Sequence, residues 1–558
     1  MFWRNKTKSA ANEVLLPRFM TANDADSAQG RISLNRGSSD SLAGDPRSCT
    51  ASNLFSTDHL HHDLKGRSIR GAALMLTAQS AKLFIGLGST VVLARLLSPA
   101  DYGVVAMVAA VTGFVAVLKD GGLATATIQR SEINSAQIST LFWINTALGV
   151  AVALVVGALS PLVAWFYRDP RLLWVAMVLA IPFVFGGLSV QHQALLQRQM
   201  RFKTLATVDI VSLLISVSAG VIMAARGDRY WALVGMSVTG AIVNCILIWA
   251  TCQWRPARPA RGAGVRSMLA FGGGVTLYGV LGTLAGSADK LFLGKFFGAE
   301  AVGFYSRAQA LFFQPLQQVI PTLQTVGFPM LSRLSGDVNR FRSTFLRLVS
   351  LAAIGSSLVS AFLLSASDAI VSLALGDKWL ASSTIFQMFA VTIFTMPVSV
   401  VITWLFLANA RSREMAVWGA LNSGVLLIAV TCGLPWGGVG VAAAYSISGA
   451  FIRVPLLCYL AGRIGILTSA ELLRTLGLAT LTCFSVTLCL VALRHILQLN
   501  QPWKVLILIL PLNALLHLAL LACSQWGRSC LSSTKEIALI LLRATPLRVP
   551  PPTTLAAR

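Results

Sequence analysis

One stretch of this chain restricts its fold more than any other. Between Glu132 and Arg168 the sequence reads "INSAQISTLFWINTALGVAVALVVGALSPLVAWFY", and no Asp, Glu, Lys or Arg interrupts it. A helix needs about 20 apolar residues to cross the hydrocarbon core of a bilayer. Inside that core every backbone polar group must find a partner within the protein, which leaves helices and closed barrels. Apolar runs of this kind recur at about 14 places between residues 73 and 524, and their length suits helices. The expected class is therefore an all-α integral membrane protein.

Composition agrees. Hydrophobic residues make up 55% of the 558 and charged residues only 12%, with a mean hydropathy of +0.71. A soluble globular domain carries roughly 25% charged residues. The net charge of +24 would suit a nucleic-acid binder if the bases formed one tract. They lie instead in short loops such as "QRQMRFK" (197–203) and "WRPARPARGAGVR" (254–266). Basic loops on one side are how a membrane protein marks its cytoplasmic face, so nucleic acid is excluded as a partner and both termini are expected in the cytoplasm. The nine cysteines form no CxxC pair, which indicates neither a disulfide framework nor a metal site.

The expected organisation runs as a disordered, polar extension over 1–64, a first six-helix lobe over 65–251 and a basic linker over 252–267. A second six-helix lobe over 268–461, two further helices over 462–524 and a cytoplasmic tail over 525–558 complete it. Loops at the far end are short, the longest being "SDAIVSLALGDKWLA" at about 366–380.

The two lobes open with a similar phrase. "VVLARLLSPADYG" (91–103) and "LFLGKFFGAEAVG" (291–303) both give an apolar run, a base, two bulky apolar residues, a short turn with one acid, and Gly. Repeated bundles flanking a midplane site are the common plan of secondary transporters, which the repeat suggests here.

Ionisable residues within spans are costly and mark function. Lys82 sits well inside the first span beside Gln79, where it either lines a watery cavity or snorkels to a boundary. Arg95, Lys290, Lys295 and Arg307 cluster near the repeated phrase, with Gln309, Gln314 and Gln317 beyond. Arg95 and Lys295 read equally as interfacial anchors. The candidate cargo-binding set is Lys82, Lys290, Arg307, Gln79 and Gln314, because bases with hydrogen-bonding side chains suit an anionic, hydroxyl-rich ligand. Asp120 and Asp289 are the candidate ion-coupling carboxylates, and Asp289 adjoins Lys290, with which it could pair. Gly279, Gly282 and Gly286 share one helical face and read as close packing or as a hinge. No nucleophile elbow, ATP phosphate loop or metal-spaced set occurs, so neither an enzyme nor a cofactor is expected.

Several segments carry a resemblance. "LARLLSPADYGVVAM" (93–107), "DGGLATATIQR" (120–130), "QALLQRQMRF" (193–202), "ADKLFLGKFFGAEAVGFYSRA" (288–308) and "LALGDKW" (373–379) resemble polysaccharide and lipopolysaccharide flippases. The match is to the colanic-acid-exporter-like branch of the multidrug/oligosaccharidyl-lipid/polysaccharide (MOP) exporter superfamily, over roughly residues 65 to 500. The resemblance implies two six-helix lobes around a cavity plus two C-terminal helices. It further implies a bacterial inner-membrane transporter that flips undecaprenyl-pyrophosphate-linked oligosaccharide by alternating access. Its expected partners are that lipid-linked substrate, membrane lipids, and a polysaccharide polymerase with other assembly proteins. A membrane glycan polymerase or ligase, and a cation-coupled drug exporter of the same superfamily, are the alternatives.

Overall fold

The structure is a computed structural model. It describes residues 64–528 apart from 121–123, 125–126, 129–132, 260–265, 335, 410, 500 and 526. The expectations for 1–63 and for the tail from 529 onward lie outside the described residues, and those residues contain no strand.

Helices follow one another with short turns. They are α1 (Leu64–Leu96), α2 (Pro99–Asp120), α3 (Ser135–Tyr167), α4 (Arg171–Leu179), α5 (Ile181–Arg198), α6 (Phe202–Ala225) and α7 (Trp231–Thr251). After the linker come α8 (Arg266–Arg333), α9 (Val338–Leu375), α10 (Ala381–Ala408), α11 (Ser412–Gly433), α12 (Gly437–Ser448), α13 (Val454–Gly462), α14 (Ser469–Ile496) and α15 (Pro502–Cys523). Among the described residues nine helical stretches are long and apolar enough to cross a membrane.

Local chemistry sets the ends. Asn134 caps α3: its side chain accepts from the Gln137 N–H at 2.8 Å while Gln137 accepts from the Asn134 N–H at 3.2 Å. Such a box satisfies two of the N–H groups every helix start leaves open. Thr468 and Glu471 repeat the device at α14. Gly298, at φ 78°, breaks α8 into two antiparallel-running arms, a conformation that favours glycine. The segment 366–375 belongs to α9, and only Gly376–Leu380 remains as a turn there. The expected long loop is thus mostly helix, because Gly376 at φ 95°, not the polar Ser365–Asp368, stops it.

Packing runs from helix to helix through each half. In the first lobe the order is α2, α3, α5, α7, α6, α1; in the second the two arms of α8 join α9, α10, α12 and α11. Helices α14 and α15 pack on each other and on α9. Outward faces carry exposed Leu154, Trp174, Phe484 and Ile507, as a lipid-facing surface requires.

The cores differ at the two ends of the bundle. At the end holding the repeated hairpins, one buried cluster joins both lobes, with Leu93, Tyr102 and Val104 from the first and Leu293, Val302, Tyr305 and Trp379 from the second. At the end holding the linker each lobe has its own cluster. One contains Ile138, Phe142, Leu195 and Trp254; the other contains Phe341, Phe345, Leu405 and Leu457.

Candidate functional site

The repeated phrase forms the seam. Pro99 and Ala299 stand at equivalent places in the two copies, as do Gly103 and Gly303. A Cβ on Gly103 would lie 1.6 Å from the Ala299 carbonyl oxygen, and one on Gly303 would lie 1.8 Å from that of Pro99. Each copy's glycine receives the other copy's turn, so the two hairpins cross backbone to backbone in a reciprocal arrangement.

The bases of the phrase are reciprocal too. Arg95 of α1 donates to the Leu373 carbonyl in the last turn of α9 at 2.8 Å. Lys295, its counterpart in α8, donates to the Phe166 carbonyl in the last turn of α3 and lies 4.7 Å from the Phe166 ring centroid. Cations favour helix C-termini, where carbonyls lack intrahelical partners and the helix dipole is negative. Two more bonds cross here: Lys378 Nζ donates to the Arg95 carbonyl at 2.9 Å and Trp379 Nε1 to the Ala94 carbonyl at 2.8 Å. The anchor reading of Arg95 and Lys295 becomes a specific one, since each holds the opposite lobe.

Beneath the hairpins lies Arg307. Its guanidinium carbon sits 4.2 Å from the Tyr102 ring centroid across the seam, a cation–π contact between lobes. Its Nε is buried without a hydrogen-bond partner, and among the described residues no carboxylate lies within ion-pair distance. Asp289 is 3% exposed, and its Oδ2 accepts from the Tyr305 hydroxyl at 2.7 Å and from Gln309 Nε2 at 3.2 Å. The expected side-chain pairing with Lys290 does not form; only the Lys290 backbone N–H donates to Asp289, at 2.7 Å. Gly298 turns the chain back so that Tyr305 and Gln309 reach Asp289 first. Lys290, Gln79 and Gln314 are half-buried.

Lys82 is separate from this group. It pairs with Asp209 of α6 at 2.8 Å within the first lobe, with the side chains 30% and 38% exposed. Asp120 ends α2, and its side chain lies outside the described residues. Gly286 has open space where a Cβ would stand, so it does not mark close helix packing. A cavity of about 400 Å³ is lined, among the described residues, by the first lobe, mostly by α5 and α7.

Sequence reasoning missed Tyr102 and Trp379 at the seam and the cavity's Gln193, Gln197 and Asn244. Gln193 and Gln197 stood one helical turn apart in "QALLQRQMRF", a spacing that puts both on one face.

Comparison with known proteins fits this architecture. A family model described as polysaccharide biosynthesis protein matches residues 92–384. The teichuronic acid biosynthesis protein TuaB of Bacillus subtilis (strain 168) is 30% identical over 319 residues, 57% of this chain and 65% of TuaB. The alignment therefore covers just under two thirds of that relative. The lipopolysaccharide biosynthesis protein WzxC of Escherichia coli (strain K12) is 26% identical over 354 residues, 62% of this chain and 71% of WzxC. Among solved structures, the lipid II flippase MurJ in an inward closed conformation aligns at TM-score 0.65 and 13% identity, covering 85% of this chain and 100% of that one. An inward-facing MATE family transporter of the MOP superfamily aligns at TM-score 0.53 and 14% identity, covering 71% of this chain and 96% of that one. The chain belongs to the polysaccharide biosynthesis protein family and has the fold of MOP superfamily transporters.

Proposed function

We infer that this multi-pass membrane protein flips an undecaprenyl-pyrophosphate-linked oligosaccharide from the inner to the outer leaflet of the bacterial inner membrane, by alternating access. The observation that carries this reading is Arg307, a half-buried cation on the seam between the lobes whose Nε is buried without a hydrogen-bond partner, with no carboxylate at ion-pair distance among the described residues. A cation so placed favours an anionic cargo. Lys290 is the second candidate base, with Gln79 and Gln314 as hydrogen-bonding neighbours; Lys82 joins them once its pair with Asp209 opens. In this reading the linker end and both termini face the cytoplasm and the hairpin end faces outward.

The energetics are favourable. A pyrophosphate diester carries about two negative charges, and outward movement along the membrane potential gains about 2.3 kcal/mol per charge per 100 mV. A shared core at the hairpin end with separate cores at the linker end supports a state closed to the outside. Asp289, and Asp120 near the linker end, are the carboxylates proposed to couple an ion. The protein would feed a polymerase on the outer face and hold no cofactor of its own.

Deletion of the gene followed by analysis of lipid-linked intermediates tests the reading. Undecaprenyl-linked repeat units should accumulate on the cytoplasmic face. Units accumulating outside and unpolymerised would favour a polymerase or ligase, and an unchanged lipid pool would refute transport of this cargo.

A further inference from the structure

The cavity inside the first lobe differs in chemistry from the seam. Its volume of about 400 Å³ falls in the range of small-molecule sites, roughly 300–1,000 Å³. Its wall carries the amides of Gln193, Gln197 and Asn244, the Ser237 hydroxyl and the Phe185 ring, and none of the described residues lining it is charged. Gln193 Nε2 donates to Asn244 Oδ1 at 3.0 Å, which ties α5 to α7 and leaves the Gln193 carbonyl and the Asn244 amino group for a third party. Gln197 and Ser237 are exposed to the opening.

Amides gathered in spans this apolar are expensive unless something hydrogen-bonds them. Among the described lining residues an anion would find no counter-charge and a cation no carboxylate. A neutral, polyhydroxylated ligand fits: side-chain amides both donate and accept, as vicinal hydroxyls do, and an aromatic ring offers a face to the apolar side of a sugar. We propose that this chamber is a glycan subsite, binding neutral sugar units of the cargo while the phosphorylated end engages the basic seam. This rests on the flippase reading and adds to it a division of labour between lobe interior and seam.

The test uses the full chain in lipid nanodiscs with two probes measured separately. One is undecaprenyl pyrophosphate; the other is a neutral oligosaccharide released by partial hydrolysis of the host's surface polysaccharide. The wild-type protein should bind both. The double variant Gln193→Leu/Asn244→Leu should bind the oligosaccharide at least about tenfold more weakly, from loss of two neutral hydrogen bonds, and bind the lipid pyrophosphate unchanged. Ser237→Trp, which fills the chamber from an exposed position, should do the same, and retained lipid binding reports that each variant is folded. Equal oligosaccharide binding by wild type and both variants overturns the subsite, as does a wild-type protein that binds only the lipid; the flippase reading survives both results. A wild-type protein that binds the oligosaccharide in a Gln193-dependent way but never the lipid pyrophosphate upholds the subsite and sinks the flippase reading.

Discussion

Gly103→Ala should act as a wedge. In the closed seam the new Cβ would fall 1.6 Å from the Ala299 carbonyl oxygen, whereas real Cβ contacts stay beyond 3.0 Å. The hairpins must therefore part by about 1.4 Å. The obstruction is backbone on the opposite lobe, so no rotamer change relieves it. Overpacking of this kind costs about 1–3 kcal/mol. That cost falls only on the state in which the hairpins touch, so the balance between the two access states should shift by about 5- to 150-fold toward the state open at the hairpin end.

A labelling assay reads this directly. Val302 is 0% exposed in the shared core beside the hairpins. In a background with all nine cysteines replaced, Val302→Cys should resist an impermeant maleimide added from outside. Adding Gly103→Ala should make it react several times faster and reduce polymer export at unchanged protein level. Gly303→Ala should behave alike, since its Cβ would meet the Pro99 carbonyl at 1.8 Å, while Gly286→Ala, with nothing within 4 Å, should be silent. If Val302→Cys stays protected and export is normal in Gly103→Ala, the crossing hairpins are not the seal.

Three further perturbations separate roles. Arg307→Ala should abolish export at normal protein level, and Arg307→Lys should retain part of it because the charge remains; normal export in Arg307→Ala removes it from the site. For Lys82 and Asp209, 2.8 Å apart, Lys82→Asp and Asp209→Lys should each impair export and the double swap should restore it if the pair is structural; a double swap as inactive as Lys82→Asp assigns Lys82 to the cargo. At the turn between α3 and α4, burial raises the Asp169 carboxyl, but hydrogen bonds and charge from Arg171 outweigh it and hold it below its ordinary value. A carboxyl depressed by folding stabilises the fold above its unfolded value and loses that contribution as pH falls through the folded one. Asp169→Asn should accordingly lower the melting temperature at pH 7, and by progressively less as pH falls from the ordinary carboxylate range through the folded value; a loss independent of pH rules out the charged pair.

Much of the fold was written in the apolar runs, because a bilayer tolerates little but long helices. The break in α8 needed only Gly298, and the caps at Asn134 and Thr468 are local signals. Pairings across the seam were not legible. Nothing local ties Arg95 to Leu373 or Gly103 to Ala299; those contacts exist because the two lobes meet at their hairpins. Asp289 illustrates a second limit, since its donors lie 16 and 20 residues on and arrive only because the chain doubles back. The chamber went unseen for a third reason. Neutral amides scattered over α5 and α7 give no charge signal against an apolar background, and proximity alone turns them into a lining.

The charge beside the repeated phrase now separates into two kinds. Arg95 and Lys295 occupy equivalent places, and each meets carbonyls at the end of the other lobe's third helix. A base there answers a helix terminus that would otherwise leave acceptors unpaired at the edge of the membrane. One such base per lobe suffices, and the symmetry of the seam accounts for both. Arg307 has no such counterpart, because the equivalent position in the first lobe is Met107. A half-buried cation that breaks the repeat and has no carboxylate partner among the described residues is not explained by holding the lobes together. Its asymmetry is what a cargo with one charged end requires.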